Sequence, residues 1–373
     1  MIERFLQQSI ENRLHKGKVI ILLGARQVGK STLLEKLFAH KSDVEWFNGD
    51  EATTKAFFSD ISATRLDAYF KGKKYLIIDE AQQIEDVGLK LKLMSDKIKD
   101  LQIVATGSSA FEIANKTNEP LTGRTWEYTM YPLSFAEMVA HHGLMTEKRM
   151  LPHRLLYGYY PDVVNNVGEE QKILRLLSDS YLYKDILQWE GIQKPDKLTK
   201  LLQALAYQIG SEVSFAEIGN TIGLDSKTVE KYIDLLEKCF VVFRLGSFSR
   251  NVRNELKFSK KIYFYDTGIR NAVIADFSDI NTRRDIGGLW KNFVISERKK
   301  VLEYGEIWAK SYFWRTTQQQ EIDYIEEKDG QLTACKIKWS STAKARLPLT
   351  FSKKYQHIDF KVINKDNVEH FLL

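Results

Sequence analysis

The chain is poor in the residues that would mark it as secreted, fibrous or membrane-embedded. Its 373 residues include two cysteines, Cys239 and Cys335, which suit buried thiols in a reducing compartment better than a disulfide framework. Six prolines and 21 glycines leave no room for a collagenous or extended low-complexity chain. No apolar run approaches the roughly 18–20 residues that cross a bilayer. The start, Met1, Ile2, Glu3 and Arg4, lacks a basic tract leading into an apolar core. The expectation is a cytoplasmic protein with no membrane partner. A strong charge of one sign is also missing, since 55 Lys and Arg face 49 Asp and Glu for a net +6.

The charge that is present is unevenly placed. Residues 250–270 carry Arg250, Arg253, Lys257, Lys260, Lys261 and Arg270 against Glu255 and Asp266. Residues 331–358 hold Lys336, Lys338, Lys344, Arg346, Lys353 and Lys354 and no acid. Such stretches meet phosphates or acidic surfaces, or form a solvated basic face.

At about 100–200 residues per domain, the length calls for several domains. Residues 2–14 have apolar positions at helical spacing, and residues 18–23 form a continuous apolar run that reads as a buried strand. Residues 74–79 and 101–106 read as further buried strands, with helical stretches between. The alternation implies a parallel sheet with helices on both faces. From about Glu170 the pattern is mostly helical. Residues 215–222 and 226–239, joined by Gly223, Leu224 and Asp225, have helix-turn-helix spacing, with Ser226 placed to cap the second helix. Strand-like segments at 241–245 and 261–265 would complete a winged helix. A long helix over 289–302 and strand-like segments at 307–314, 321–326 and 332–339 follow. The expected division is 1–150, the parallel-sheet domain; 151–195, a helical linker; 196–270, a winged-helix-like domain; and 271–373, a further α/β domain.

Between the first strand and the helix after it lie Gly24, Ala25, Arg26, Gln27, Val28, Gly29, Lys30, Ser31 and Thr32, matching G-x-x-x-x-G-K-[ST] at every fixed position. The glycines let the backbone curl so that successive N–H groups face phosphate oxygens, and Lys30 reaches the β- and γ-phosphates. Ser31 would hold Mg²⁺. The second strand ends in Asp79 and Glu80, where Asp79 would share the Mg²⁺ and Glu80 would orient and deprotonate water. The third strand ends in Thr106, Gly107, Ser108 and Ser109. At the carboxyl edge of a parallel sheet, Ser108 or Ser109 would face the γ-phosphate or the attacking water.

These segments, with Leu121 to Arg124, Tyr131 to Phe135, Gly158 to Pro161, Tyr265 to Gly268 and Gly288 to Phe293, together resemble the prokaryotic AAA-type ATPases that carry a C-terminal domain of unknown function. The resemblance covers essentially the whole chain. It implies an AAA-type module with ATP and Mg²⁺ as ligands, a winged-helix-like middle and a C-terminal restriction-endonuclease-like domain. It also implies that Arg124 senses or stabilises the γ-phosphate, in its own chain or a neighbour's, so an oligomer is admitted.

An endonuclease site of that kind needs two or three carboxylates around Mg²⁺. Asp323 supplies the strand acid and Lys338 falls at the motif lysine, but Lys336 stands where an acid belongs and Lys291 where relatives often place Glu. Glu297, further along the same helix, is a weak substitute. A nuclease-shaped domain without metal catalysis is expected. Lys336, Lys338 and Trp339 suit nucleic-acid contact. The second helix of the helix-turn-helix balances Lys227, Lys231 and Lys238 against Glu230, Asp234 and Glu237, which argues against base reading. Three functions compete: an ATPase whose hydrolysis moves C-terminal domains against nucleic acid or a protein partner, a nucleotide-held binding module with negligible turnover, and an Mg²⁺-dependent nuclease.

Overall fold

The computed structural model describes residues 2–59, 63–108, 121, 123–187, 194–249 and 260–373. The chain forms two compact units, Met1–Tyr131 with Lys238–Phe240, and Pro132–Glu237 with Val241–Leu373.

The first unit runs α1 (Leu6–Arg13), β1 (Val19–Leu23), α2 (Lys30–Phe38), β2 (Val44–Asn48), α3 (Ala52–Ser59), α4 (Ala63–Phe70), β3 (Tyr75–Asp79), α5 (Val87–Lys97), β4 (Gln102–Gly107) and β5 (Thr125–Thr129). Its five strands lie in the order β2-β3-β4-β1-β5, and every neighbouring pair is parallel. The three strands expected from the sequence are β1, β3 and β4. Residues of β1 and β4 are buried throughout, which is why they read as unbroken apolar runs. The two strands not expected, β2 and β5, are the sheet edges. They are partly exposed and mix aromatic with polar residues, so no buried-strand signal marks them. Because β1, β3 and β4 run the same way, Leu23, Asp79 and Gly107 end on one edge. There Gly24 N donates to Gly107 O at 3.2 Å.

The second unit runs α6 (Phe135–His142), α7 (Leu144–Tyr157), α8 (Pro161–Asn165), α9 (Glu170–Leu187), α10 (Pro195–Tyr207), β6 (Glu212–Val213), α11 (Phe215–Ile222), α12 (Ser226–Lys238), β7 (Val242–Ser247), β8 (Lys260–Phe264), α13 (Thr267–Val273), α14 (Ile286–Tyr304), β9 (Lys310–Arg315), β10 (Glu321–Lys328), β11 (Gln331–Ile337), α15 (Leu349–Ser352), β12 (Ile358–Ile363) and α16 (Glu369–Leu372). Seven strands form one mixed sheet in the order β12-β11-β10-β9-β7-β8-β6. The strands expected to form a wing, β7 and β8, pair antiparallel. They do not stop there. The other edge of β7 pairs parallel with β9 through Gly246 with Tyr312 and Ser247 with Phe313, so wing and C-terminal strands are one sheet. Phe248, Trp314, Phe351 and Tyr355 pack together beside this seam.

Helices α11 and α12 meet at Gly223, whose φ of +73° suits glycine. The cap expected of Ser226 comes instead from Asp225, whose Oδ1 accepts from Thr228 N at 2.9 Å. The segment opening this unit is clamped to α14: Lys300 Nζ donates to Leu133 O at 2.9 Å, and Phe135 N donates to Glu297 Oε2 at 2.7 Å. Both cysteines are buried. Among the described residues, no helix is long and apolar enough to cross a membrane. Ser109, Arg250, Arg253 and Lys257 lie outside the described residues.

Candidate functional site

The glycine loop has the shape its sequence demands. Gly24, Gln27 and Gly29 have φ of +152°, +60° and +95°, and Gly29 caps the start of α2. A Cβ on Gly24 would overlap the Met130 carbonyl oxygen, so only glycine lets β5 end against the loop. Lys30 is buried, and its Nζ donates to Gly24 O and Ala25 O at 2.9 Å each. Arg4, which belongs to no motif, braces the loop from outside. Its guanidinium donates to Val28 O at 2.7 Å and Tyr131 O at 2.6 Å.

The acidic strand end lies against this loop. Ser31 Oγ donates to Asp79 Oδ2 at 2.7 Å, and Thr106 Oγ1 donates to Asp79 Oδ1. The strand order explains the second contact. Strand β4 lies between β1 and β3, so Thr106 at its end fills the gap between loop and acid. Thr106 Oγ1 also accepts from Glu80 N at 3.0 Å. Glu80 sits in the left-handed region with φ +49°. Gln82 is buried, and its Nε2 donates to both Glu80 Oε2 and, at 3.0 Å, Ser108 Oγ. Thr106 and Gln82 were missed as site residues, because what distinguishes them is the neighbour strand's end and not their own spacing. A hydroxyl and a carboxylate in contact are hard oxygen donors of the kind Mg²⁺ takes, so Ser31 and Asp79 fit that ion.

Arg124 lies away from the loop. It directly precedes β5, whose Thr125 pairs with Val19 at the start of β1, while Thr129 pairs with Leu23 at the loop end. Five strand residues at about 3.3 Å each separate Arg124 from its own phosphate loop. Its guanidinium instead pairs with Asp96 Oδ1 at 3.1 Å, both side chains being well exposed. That placement sets Arg124 at the opposite ends of β1 and β5 from its own loop.

In the second unit, the endonuclease-like residues are only partly brought together. Asp323 is fully buried, and its Oδ1 lies 2.6 Å from Lys291 Nζ and 3.4 Å from Lys336 Nζ. Pairing of Tyr324 with Cys335 sets Asp323 opposite Lys336. No ion pair joins Lys338 to this group among the described residues. Glu297 is not there: its carboxylate is occupied by Phe135 N and, at 2.6 Å, by Lys300 Nζ. Six residues of helix separate it from Lys291, about one and two-thirds turns, so the two point from different faces of α14. The acid that does join the group is Glu321, two residues before Asp323 on β10. Burial opposes its ionisation, but Lys261, Lys291 and Lys336 outweigh burial and hold its carboxyl at about 2. The alternation Glu321, Ile322, Asp323 was the available signal, since i and i+2 share a strand face. Among the described residues, no group of three or more His, Cys, Asp or Glu is arranged to hold a metal ion.

Known proteins share these features in separable parts. Residues 16–139 match the family described as an AAA domain, residues 148–281 a domain of unknown function (DUF8612), and residues 286–370 another (DUF4143). An uncharacterized protein of Mycobacterium tuberculosis is 26% identical over 345 residues, covering 89% of this chain and 73% of its own. One from Methanocaldococcus jannaschii is 26% identical over 321 residues, covering 73% of this chain and 65% of its own. A solved Walker-type ATPase of Pyrococcus abyssi is similar in fold, with a TM-score of 0.51 at 14% identity over 74% of this chain and 96% of that one. The chain therefore carries an N-terminal stretch that matches an AAA domain and a C-terminal stretch that matches a domain of unknown function, its fold is similar to that of a solved Walker-type ATPase, and the relatives named here are bacterial and archaeal proteins.

Proposed function

We propose that the protein binds ATP with Mg²⁺ at the loop of residues 24–32, hydrolyses it, and uses the cycle to move its C-terminal part against a partner. The observation that carries this reading is the direct hydrogen bond between Ser31 and Asp79, which joins loop and acidic strand end as one oxygen-donor pair. Backbone N–H groups of the loop would hold the phosphates, with Lys30 leaving the Gly24 and Ala25 carbonyls for phosphate oxygens of higher charge. Ser31 and Asp79 would hold the Mg²⁺, which when bound neutralises phosphate charge and aligns the reacting group. Glu80 accepts a proton from the attacking water through Oε1, its Oε2 being fixed by Gln82. Ser108, held by the same amide, stands as a γ-phosphate or water contact. Products are ADP and phosphate.

The test is phosphate release with Mg²⁺ and ATP by wild type and Lys30→Ala. Wild type is expected to exceed the variant clearly. Equal background rates would reject hydrolysis and leave the nucleotide-held binding module, which a nucleotide titration of wild type would then have to reveal.

Arg124 is proposed to act on a neighbouring subunit's nucleotide, supported by its exposure and its distance from its own loop. Arg124→Ala is expected to lower turnover about 10³-fold or more. Mixing it with Lys30→Ala, equally inactive alone, should restore part of the rate, because mixed oligomers contain intact pairs of loop and arginine. A normal rate for Arg124→Ala alone would remove it from the mechanism. Residues 271–373 are read as nuclease-shaped without cleavage chemistry, a reading supported by lysines lying against Glu321 and Asp323.

A further inference from the structure

The hydrolysis reading uses the side-chain nitrogen of Gln82 and leaves its oxygen unexplained. Gln82 stands two residues past Glu80 in a single 3₁₀ turn, Ala81–Gln83, and is 5% exposed. The left-handed step at Glu80 turns the chain at the end of β3. Bonds from Gln83 N to Glu80 O at 3.0 Å and from Ile84 N to Ala81 O at 3.1 Å then close the turn, which brings the side chains of residues 80 and 82 into contact.

Chemistry decides which end of the Gln82 amide faces which neighbour. An ionised carboxylate only accepts, so the amide turns its nitrogen to Glu80. That nitrogen carries two hydrogens, and both are placed: one goes to Glu80 Oε2 and the other, at 3.0 Å, to Ser108 Oγ. The amide's oxygen lies two bonds from this nitrogen and in one plane with it. It is buried, and it has no hydrogen-bond partner among the described residues.

A buried carbonyl oxygen without a donor is costly, so this oxygen calls for one. The site's other side-chain donors face other acceptors. Lys30 Nζ serves Gly24 O and Ala25 O, while Ser31 Oγ and Thr106 Oγ1 both serve Asp79. Water is the donor small enough for a buried place among several polar groups. The reaction proposed for this site needs a water, and needs it oriented. Held by Glu80 alone, the attacking molecule turns freely about one hydrogen bond. A second acceptor, on its other hydrogen, fixes its lone pair toward the γ-phosphorus.

We infer that the side-chain carbonyl of Gln82 is that second acceptor, so that Glu80 Oε1 and Gln82 Oε1 together hold the attacking water while the Gln82 nitrogen keeps Glu80 in register with it. The water oxygen bonds to the γ-phosphorus, and the bond from that phosphorus to the bridging oxygen breaks, its electron pair leaving with ADP. Glu80 Oε1 receives the proton. Gln82 takes none, and keeps its hydrogen bond to the hydroxyl that becomes part of the released phosphate. The inference rests on the hydrolysis proposed above and adds to it a residue whose contact is with the water and not with the phosphates.

The experiment compares full-length wild type with Gln82→Met, which keeps the length of the side chain and removes both polar atoms of the amide. Single-turnover phosphate release is expected to fall about 10²-fold, the scale of a misplaced reactant, with affinity for a fluorescent nucleotide unchanged. Added to Glu80→Gln, the substitution should slow release by no more than about three-fold further, because the two acceptors act on one molecule. A wild-type rate in Gln82→Met, or full additivity in the double variant, would overturn the inference. A crystal structure of wild type with Mg²⁺, ADP and aluminium fluoride gives a readout independent of turnover and of how the variant folds. Its axial water oxygen is expected within about 2.6–3.2 Å of both Glu80 Oε1 and Gln82 Oε1. An axial oxygen held by Glu80 but away from Gln82 would overturn the inference and leave the hydrolysis reading standing. Wild-type phosphate release no faster than that of Lys30→Ala would remove both together.

Discussion

Glu80→Gln is expected to bind nucleotide as the wild type does and to turn it over about 10²–10⁴-fold more slowly, the range lost with a positioned general base. The amide keeps the size and leaves Gln82 an oxygen to donate to, but it has no basic oxygen for the proton of water. The local backbone argues that this carboxylate is aimed and not incidental. Glu80 adopts φ +49°, an uncommon conformation for a residue with a side chain. It is held by the bond from its N–H to Thr106 Oγ1, and Gly49 packs so closely that a Cβ there would overlap the Glu80 carbonyl oxygen. Titration of a fluorescent nucleotide beside single-turnover phosphate release separates the two effects. Turnover equal to wild type would remove Glu80 from the chemistry, whereas lost nucleotide binding would show that the substitution disturbed the loop instead.

The largest effect on stability is expected at Gly158, far in sequence from the phosphate loop. Gly158→Ala should destabilise the second unit by more than about 4 kcal/mol, the range of changes that force a buried network apart. Gly158 has φ +70° and ψ −156°, a region essentially reserved for glycine. A Cβ would also overlap the Asp266 carboxylate. That carboxylate cannot step aside cheaply. It is buried, accepts from Tyr159 N at 2.7 Å and from Ile269 N at 3.1 Å, and so fixes the Gly158 turn to the start of α13. Burial pushes its pKa up, against those bonds and the Lys300 charge, so moving it would strand a costly group. Chemical denaturation followed by fluorescence measures the change. A midpoint within error of wild type would show that the turn relaxes freely.

Much of the candidate site was legible because its signals are local. Gly24 and Gly29 are needed for positive φ, Lys30 and Ser31 follow within the same turn, and Asp79 ends a strand whose apolar run names it. The chemistry of neighbours was less visible. Thr106 touches Asp79 only because β4 lies between β1 and β3, and Gln82 matters only because its amide meets both Glu80 and Ser108. The edge strands β2 and β5 escaped notice for a related reason: half-exposed strands are selected less strictly for apolar residues than central ones.

By itself the sequence determined the glycine loop, the acidic strand end, the three buried strands and the two helices either side of Gly223, all set by residues adjacent in the chain. Only the tertiary structure decided that Arg124 stands at the far edge of the sheet from its own loop, that β7 joins β9 in one seven-stranded sheet, and that Glu321, not Glu297, shares the lysines with Asp323. The physical reason is the same in each case. Backbone torsion and burial are written residue by residue, whereas strand order, register and the face of a long helix arise from pairings between distant segments, which no local pattern records.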